Sequence, residues 1–111
     1  MITVINFSHA LNEKAKQMIV DNFGCGDAVI HQVSVQLYMK DALAPQLAAI
    51  EKEALTLVGG NHANVDCIIP PGHPVASSYL SRKFLTANII AMVAEGTPTQ
   101  FFPSRELIRP R

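Results

Sequence analysis

Two short loops in the sequence carry the side chains best suited to chemistry. The first, residues 6–9, ends in His9, and the second, residues 70–73, ends in His73. Near neutral pH an imidazole can act as a general acid, as a general base or as a hydrogen-bond donor to a phosphate. We therefore take His9 and His73 as the candidate catalytic residues, while either could equally be a loop residue that satisfies local carbonyl groups.

The second loop has the features of a phosphate-binding turn. Gly72 lets backbone N–H groups approach an anion, and a helix starting near Pro74 would point the positive end of its dipole at the same place. Hydroxyl donors and positive charge would come from the same helix, at Ser77, Ser78, Arg82 and Lys83. The motif matches neither a Walker loop nor a dinucleotide-binding fingerprint, so a structural turn before a helix explains it as well.

Other kinds of catalytic site find no support in the sequence. The four histidines and nine acidic residues show no spacing that organises a metal ion, and there is no Gly-x-Ser-x-Gly nucleophile elbow. Cys25 and Cys67 do not form a Cys-x-x-Cys pair and fit a reduced, cytoplasmic setting. We therefore expect no metal and no cofactor.

Hydrophobic periodicity predicts the elements that position these loops. Strands are expected over residues 2–7, 28–39, 64–69, 87–95 and 100–108, and helices over about residues 12–24, 45–59 and 74–85. The order βαβαβαββ indicates one α/β domain spanning residues 1–111, with a mostly parallel sheet of the Rossmann-like type. In such sheets the ligand crevice lies beyond the carboxyl ends of the strands, where both histidine loops fall.

Composition narrows the class of partner. The formal net charge is zero, which argues against a protein that coats long DNA or RNA, so any phosphate ligand should be small. The apolar fraction of 49% favours burial of surface in a homodimer or a higher oligomer. Since neither a signal peptide nor a membrane span is predicted, we expect a cytoplasmic protein without a membrane partner.

The other two histidines are expected outside the site. His31 falls on the apolar face of the second strand and is interpreted as a core or dimer-interface residue. His62 follows two glycines and an asparagine, a context that is typical of an exposed turn.

The sequence also resembles a known family. Three segments are similar to a small CRISPR-associated family of type III systems. They are residues 5–11, the turn at residues 70–72, and the strand at residues 89–95 together with the proline-containing strand that follows it. The resemblance spans nearly the whole chain, and it implies a CARF-like Rossmann domain. It also implies binding of cyclic oligoadenylate, the second messenger of type III CRISPR antiviral defence, across a homodimer whose two-fold axis matches the ring. Cyclic tetra-adenylate is the first choice of ligand.

The same resemblance implies a set of ligand-binding residues. Carried over position by position, they are Asn6, Ser8 and His9 in the first loop, Pro71, Gly72 and His73 in the second, and Ser77, Ser78 and Arg82 on the third helix. Some members of the group cleave the ring as ring nucleases, and others only sequester it.

Ring cleavage without a metal would require a ribose 2′-hydroxyl held in line with its own phosphate. His9 or His73 would then act as acid, base or phosphate donor, Ser8 and the Gly72 backbone would hold the phosphate, and Arg82 or Lys83 would stabilise charge. Three other interpretations remain open: a binding protein that only buffers the messenger, a structural or interaction domain, and a small protein that binds a mononucleotide.

Overall fold

The computed structural model describes residues 1–24 and 26–108, and Cys25 and residues 109–111 lie outside them. The strands are β1 (Ile2–Asn6), β2 (Ala28–Gln32), β3 (Cys67–Ile69), β4 (Asn88–Glu95) and β5 (Gln100–Ile108). The helices are α1 (Glu13–Phe23), α2 (Leu43–Leu57) and α3 (Pro74–Lys83), with a 3-10 helix at His62–Asn64. Strands and helices alternate along most of the chain, so the expected α/β class is confirmed.

The strands form one sheet in the order β2-β1-β3-β4-β5. The β1–β2, β1–β3 and β3–β4 pairs are parallel, and the β4–β5 pair is antiparallel. The expectation of a mostly parallel sheet is thereby confirmed. The chain first moves outward from β1 to β2 and then returns across β1 to β3, so the carboxyl ends of β1 and β3 flank the point where the strand order reverses.

Both faces of the sheet are covered. One core cluster joins the sheet to α2 and α3 through buried residues that include Ile5, Ile50, Ile68, Leu80 and Phe84. The other joins the opposite face to α1 through Val4, Ile19, Cys67, Ile69 and Ile90. Since α1 lies on one face and α2 and α3 lie on the other, the connections diverge between β1 and β3 and leave a crevice there.

Helix α1 begins and ends where its sequence signals predict. The Asn12 side-chain oxygen accepts a hydrogen bond from the Ala15 backbone N–H at 2.8 Å, which caps the amino end. Gly24 closes the helix in the left-handed conformation, with φ of 61°. No helix within residues 1–24 and 26–108 is both long enough and apolar enough to cross a membrane.

The second strand is shorter than the alternation over residues 28–39 predicts. It ends at Gln32, because its neighbour β1 ends at Asn6 and these two residues form the last pair. Beyond that point the alternate side chains still pack on the core, at Val33, Val35 and Leu37. The alternating pattern therefore marks which side chains are buried, and it does not show whether the backbone has a strand to pair with.

The third strand covers Cys67–Ile69 and not residues 64–69. Asn64 belongs instead to the 3-10 helix, where the Asn61 side chain accepts a hydrogen bond from Ala63 N at 3.0 Å. Asn64 Nδ2 donates to the carbonyl oxygen of Val58 at 2.7 Å. Such side-chain bonds to local backbone compete with strand pairing.

Smaller differences from the predicted bounds occur at the start of α2 (Leu43), the end of α3 (Lys83), the end of β1 (Asn6) and the start of β4 (Asn88).

The β4–β5 hairpin extends past the parallel part of the sheet. β3 pairs only with Asn88 and Ile89 of β4, whereas the β4–β5 ladder continues to Glu95. Helix α1 supports the extension, since the Lys14 ammonium lies 5.1 Å from the centre of the Phe102 ring. The proline-containing last strand is at the sheet edge, as its sequence predicts.

Candidate functional site

The loops after β1 and β3 face one cavity. Its volume is about 290 Å³, and it lies at the carboxyl ends of the two strands that flank the switch point. We call it the switch-point cavity; its lining is Phe7, Ser8, His9, Ser34, Val35, Gln36, Pro71, Gly72 and His73. The structure thus brings together both histidines and both loops singled out from the sequence.

Asn6 organises the first loop from a fully buried position. Its side-chain amide donates hydrogen bonds to the His9 carbonyl oxygen and to Gln32 Oε1, both at 2.9 Å. Its side-chain oxygen accepts a bond from the Ser8 backbone N–H at 2.9 Å. Gln32 completes the arrangement, because its amide donates to the Ser8 carbonyl oxygen at 2.6 Å. Asn6 therefore acts by holding Ser8 and His9 in place, and a ligand does not reach its buried side chain.

The second loop turns its glycine toward open space. Gly72 is exposed, its φ is not in the left-handed region, and a Cβ placed there would meet no atom within 4 Å. Within the described residues its backbone N–H has no hydrogen-bond acceptor. Because Gly72 is exposed and its N–H has no acceptor among the described residues, this N–H can bind an anion.

His73 has a structural task that the sequence interpretation missed. It is the N-cap of α3, and its Nδ1 accepts a hydrogen bond from the Ala76 backbone N–H at 3.4 Å. An acceptor at Nδ1 leaves the proton of a neutral ring at Nε2, which can donate to a ligand. The signal was present in the sequence, because Pro74 takes the first helical position and the residue before such a proline is a cap.

The side chains of the first loop are accessible. Ser8 is half-buried and His9 is exposed, and the His9 ring centre lies 6.5 Å from that of Phe101 on the β4–β5 hairpin. Both residues also line a second cavity of about 230 Å³ on the side of α1 and the hairpin. His9 therefore stands between two cavities.

A third wall of the switch-point cavity was missed from the sequence. Ser34 and Gln36, the polar positions of the alternating segment after β2, line it together with Val35. The sequence prediction placed these residues within the strand over residues 28–39. The signal that could have located them is the end of β1 at Asn6, because a strand that loses its partner must leave the sheet across the carboxyl ends.

The candidate site residues on α3 do not line the switch-point cavity. Ser78 and Arg82 line a groove of about 590 Å³ between α2 and α3, together with Tyr79 and Lys83. Ser77 lines neither this groove nor the switch-point cavity. The structure therefore does not bring the predicted charge-stabilising groups of this helix to the Gly72 loop. The lining of the switch-point cavity contains no arginine, lysine, aspartate or glutamate among the described residues.

His62 keeps 41% of its side-chain surface exposed, but it also makes contacts that the sequence did not predict. Its Nε2 lies 2.8 Å from Glu51 Oε2, and its ring centre lies 5.1 Å from that of Phe84. The Tyr79 hydroxyl donates to the other Glu51 oxygen at 2.8 Å. Burial would raise the pKa of Glu51, but the hydrogen bonds from His62 and Tyr79, together with the nearby charges of Lys83 and His62, outweigh it and hold that pKa below 4.5. The bond to Glu51, followed by burial, raises the pKa of Tyr79 above 10.0. This cluster ties the 3-10 helix to α2 and α3.

Metal-ligating side chains do not cluster in residues 1–24 and 26–108, where no three of the histidine, cysteine, aspartate and glutamate residues come together.

Comparisons of the chain with protein-family models, with curated proteins and with solved structures found no match. The geometry of the site and the sequence resemblance are therefore the observations that bear on function.

Proposed function

We propose that this protein is a Rossmann-like, CARF-like domain that binds a cyclic oligoadenylate in the cytoplasm, as part of type III CRISPR antiviral signalling. The observation that carries the proposal is the meeting of the Ser8–His9 and Gly72–His73 loops at one cavity on the β1/β3 switch point. This is the place where doubly wound sheets hold nucleotides. Cyclic tetra-adenylate is the ligand we test first.

The chemistry of the lining fits a phosphodiester. Ser8, Ser34 and Gln36 offer side-chain hydrogen bonds, the Gly72 backbone offers an N–H, and no acidic side chain of the lining repels an anion. The absence of arginine and lysine from the same lining favours a ligand with one negative charge per phosphate over a terminal phosphate or a polyphosphate.

The size of the cavity favours a dimer as the binding unit. At about 290 Å³ it lies at the lower end of the roughly 300–1,000 Å³ of small-molecule sites. One such cavity can take one phosphate of the ring with its sugar, whereas a ring of several nucleotides needs more than one cavity. Two copies related by a two-fold axis would present two cavities to opposite sides of one ring.

Slow ring opening is consistent with the two histidines. His9 would take the proton from a ribose 2′-hydroxyl, which attacks its own 3′-phosphate and breaks the bond to the next 5′-oxygen. That oxygen takes a proton from water as it leaves, His9 later returns its proton to the solvent, and the products are a linear oligoadenylate with a 2′,3′-cyclic phosphate and a 5′-hydroxyl. His73 Nε2–H would donate to the phosphate as negative charge develops.

A mononucleotide is the second candidate ligand. The strand order has its switch point between β1 and β3, and in flavodoxin-like sheets this point holds a single nucleotide. A mononucleotide would bind one to each chain, and it would not need a dimer.

The experiment is incubation of the purified protein with cyclic tri-, tetra- and hexa-adenylate and with AMP, followed by thermal shift and chromatography of the nucleotide. We expect a rise in melting temperature with cyclic tetra-adenylate, which Ser8→Ala abolishes and the control Ser81→Ala on α3 retains. Linear products would establish cleavage, and an intact ring would establish sequestration. A shift with AMP alone would favour the mononucleotide, and no shift with any compound would refute both.

A further inference from the structure

The second cavity beside His9 differs in character from the switch-point cavity. It lies between the loop that starts α1 and the β4–β5 hairpin, with a volume of about 230 Å³, and we call it the hairpin cavity. It is lined by Ser8, His9, Ala10, Leu11, Asn12, Met92, Gln100 and Phe101. Taking about 30 Å³ for one water of the liquid, the volume equals roughly eight waters, which suits a heteroaromatic base and not a whole nucleotide.

Phe101 gives this cavity an exposed aromatic face. The side chain is 52% exposed, and His9 and Met92 lie beside it in the same lining. Its ring and that of His9 are tilted by 36° with centres 6.5 Å apart, so two aromatic rings lie close together in the lining of this cavity. Aromatic side chains of this kind stack on the flat faces of nucleobases.

Two amides sit at the rim of the same cavity. The Asn12 side-chain oxygen is used in capping α1, which leaves its NH₂ group as a donor. Gln100 is exposed, and its side-chain amide can donate and accept at once. A glutamine amide pairs in this way with the N6 and N7 atoms of adenine, so the rim can select adenine over other bases.

The two cavities adjoin through Ser8 and His9, which line both. A phosphate held by Ser8 and Gly72 would therefore have the base of its own nucleotide within reach of the hairpin cavity. We infer that the hairpin cavity is an adenine-binding site, in which Phe101 stacks on the base and Gln100 reads its edge. This inference rests on the proposed function for the phosphate site, and it adds the feature that gives selectivity for adenine.

The test compares Phe101→Ala, Phe101→Tyr and wild type by calorimetric titration with cyclic tetra-adenylate, AMP and ribose 5-phosphate. Loss of stacking should weaken binding of the ring by roughly ten-fold or more, and Phe101→Tyr should retain it. Val93→Ala is the matched control, because Val93 is exposed on the same hairpin but lines a different cavity. Melting temperatures without ligand confirm that each variant folds.

Gln100→Ala supplies a second measurement. It should reduce the preference of the protein for AMP over GMP and leave the affinity for ribose 5-phosphate unchanged, because only the edge of the base is affected. An unchanged preference would refute the assignment of Gln100.

The outcomes separate this inference from the proposed function. If wild type binds the ring and Phe101→Ala binds it equally well, the adenine site is refuted and the ring proposal stands. If wild type binds no ring but binds AMP more tightly than ribose 5-phosphate, and Phe101→Ala removes that difference, the adenine site stands and the ring proposal is refuted. Binding of neither ring nor AMP refutes both.

Discussion

The side-chain amide of Asn6, the last residue of β1, donates a hydrogen bond at 2.9 Å to the carbonyl oxygen of His9 three residues later. Asn6 is fully buried in the sheet, whereas His9 is exposed. A rigid element thus fixes the backbone of a solvent-facing loop, which is how a binding loop keeps its geometry before the ligand arrives.

Asn6→Asp should therefore destabilise the fold strongly. The carboxylate cannot donate to the His9 and Gln32 oxygens, and it would carry a charge in a fully buried place. We expect the free energy of unfolding to fall by about 3 kcal/mol, measured by urea denaturation. Asn22→Asp is the control, since that amide makes an exposed bond to Ser104 and its loss should matter little. Equal effects of the two substitutions would contradict this role of Asn6.

Gly72→Leu should weaken ligand binding without destabilising the fold. A side chain at this position has open space and an ordinary φ, so the melting temperature should stay near that of wild type. The same side chain would occupy the room beside the Gly72 N–H and should weaken binding of cyclic tetra-adenylate about ten-fold or more. Gly26→Leu is the matched control, because it also has open space but lies before β2, at the other end of the sheet. Unchanged affinity in Gly72→Leu would argue against the switch-point cavity.

Two substitutions distinguish the helix-capping role of His73 from its proposed ligand-binding role. His73→Ala removes both the cap and the ring, and should cost about 1 kcal/mol of stability. His73→Asn supplies a good cap without the imidazole, so it should keep the stability of wild type and still bind the ring more weakly. Denaturation and titration of the two variants check this. Wild-type affinity in His73→Asn would show that His73 is only a cap.

The Glu51 cluster predicts a pH-dependent contribution to stability. The folded pKa of Glu51 lies below 4.5 because bonds from His62 and Tyr79, together with the nearby charges of Lys83 and His62, outweigh the effect of burial, so the ionised form favours folding. Its contribution is complete above the unfolded pKa and is lost as the pH falls through the folded pKa. Glu51→Gln should therefore lower stability by about 1–2 kcal/mol near neutral pH, and the difference should shrink in acid.

The control for Glu51 is Glu53→Gln, an exposed glutamate on the same helix. Thermal denaturation of both variants and of wild type from neutral pH to below 4.5 measures the effect. A stability difference for Glu51→Gln that persists unchanged into acid would contradict the account of the cluster.

The sequence was most informative where the signal is local. The cap at Asn12, the glycine stop at Gly24 and the edge position of the strand with Pro103 follow from single residues with one dominant conformation. The grouping of His9 with Gly72 also follows, because parallel strands must end at the same edge of the sheet.

The sequence was less informative where the local structure depends on a contact with a distant part of the same chain. The alternation through Val33 and Val35 could not show that β1 ends before them, so the wall at Ser34 and Gln36 was missed. The sequence placed Arg82 on α3, beyond Ser77 and Ser78, but it could not show which face of α3 meets the cavity. His62 follows the same rule, since Glu51 reaches it from a different helix.

The most direct test of the central claim is a calorimetric titration of the protein with cyclic tetra-adenylate, with the oligomeric state measured by light scattering in parallel. The account predicts saturable binding with one ring for every two chains of a dimer, and strong weakening by Ser8→Ala and by Gly72→Leu but not by Gly26→Leu. An absence of binding, or binding that Ser8→Ala and Gly72→Leu leave unchanged, would contradict it.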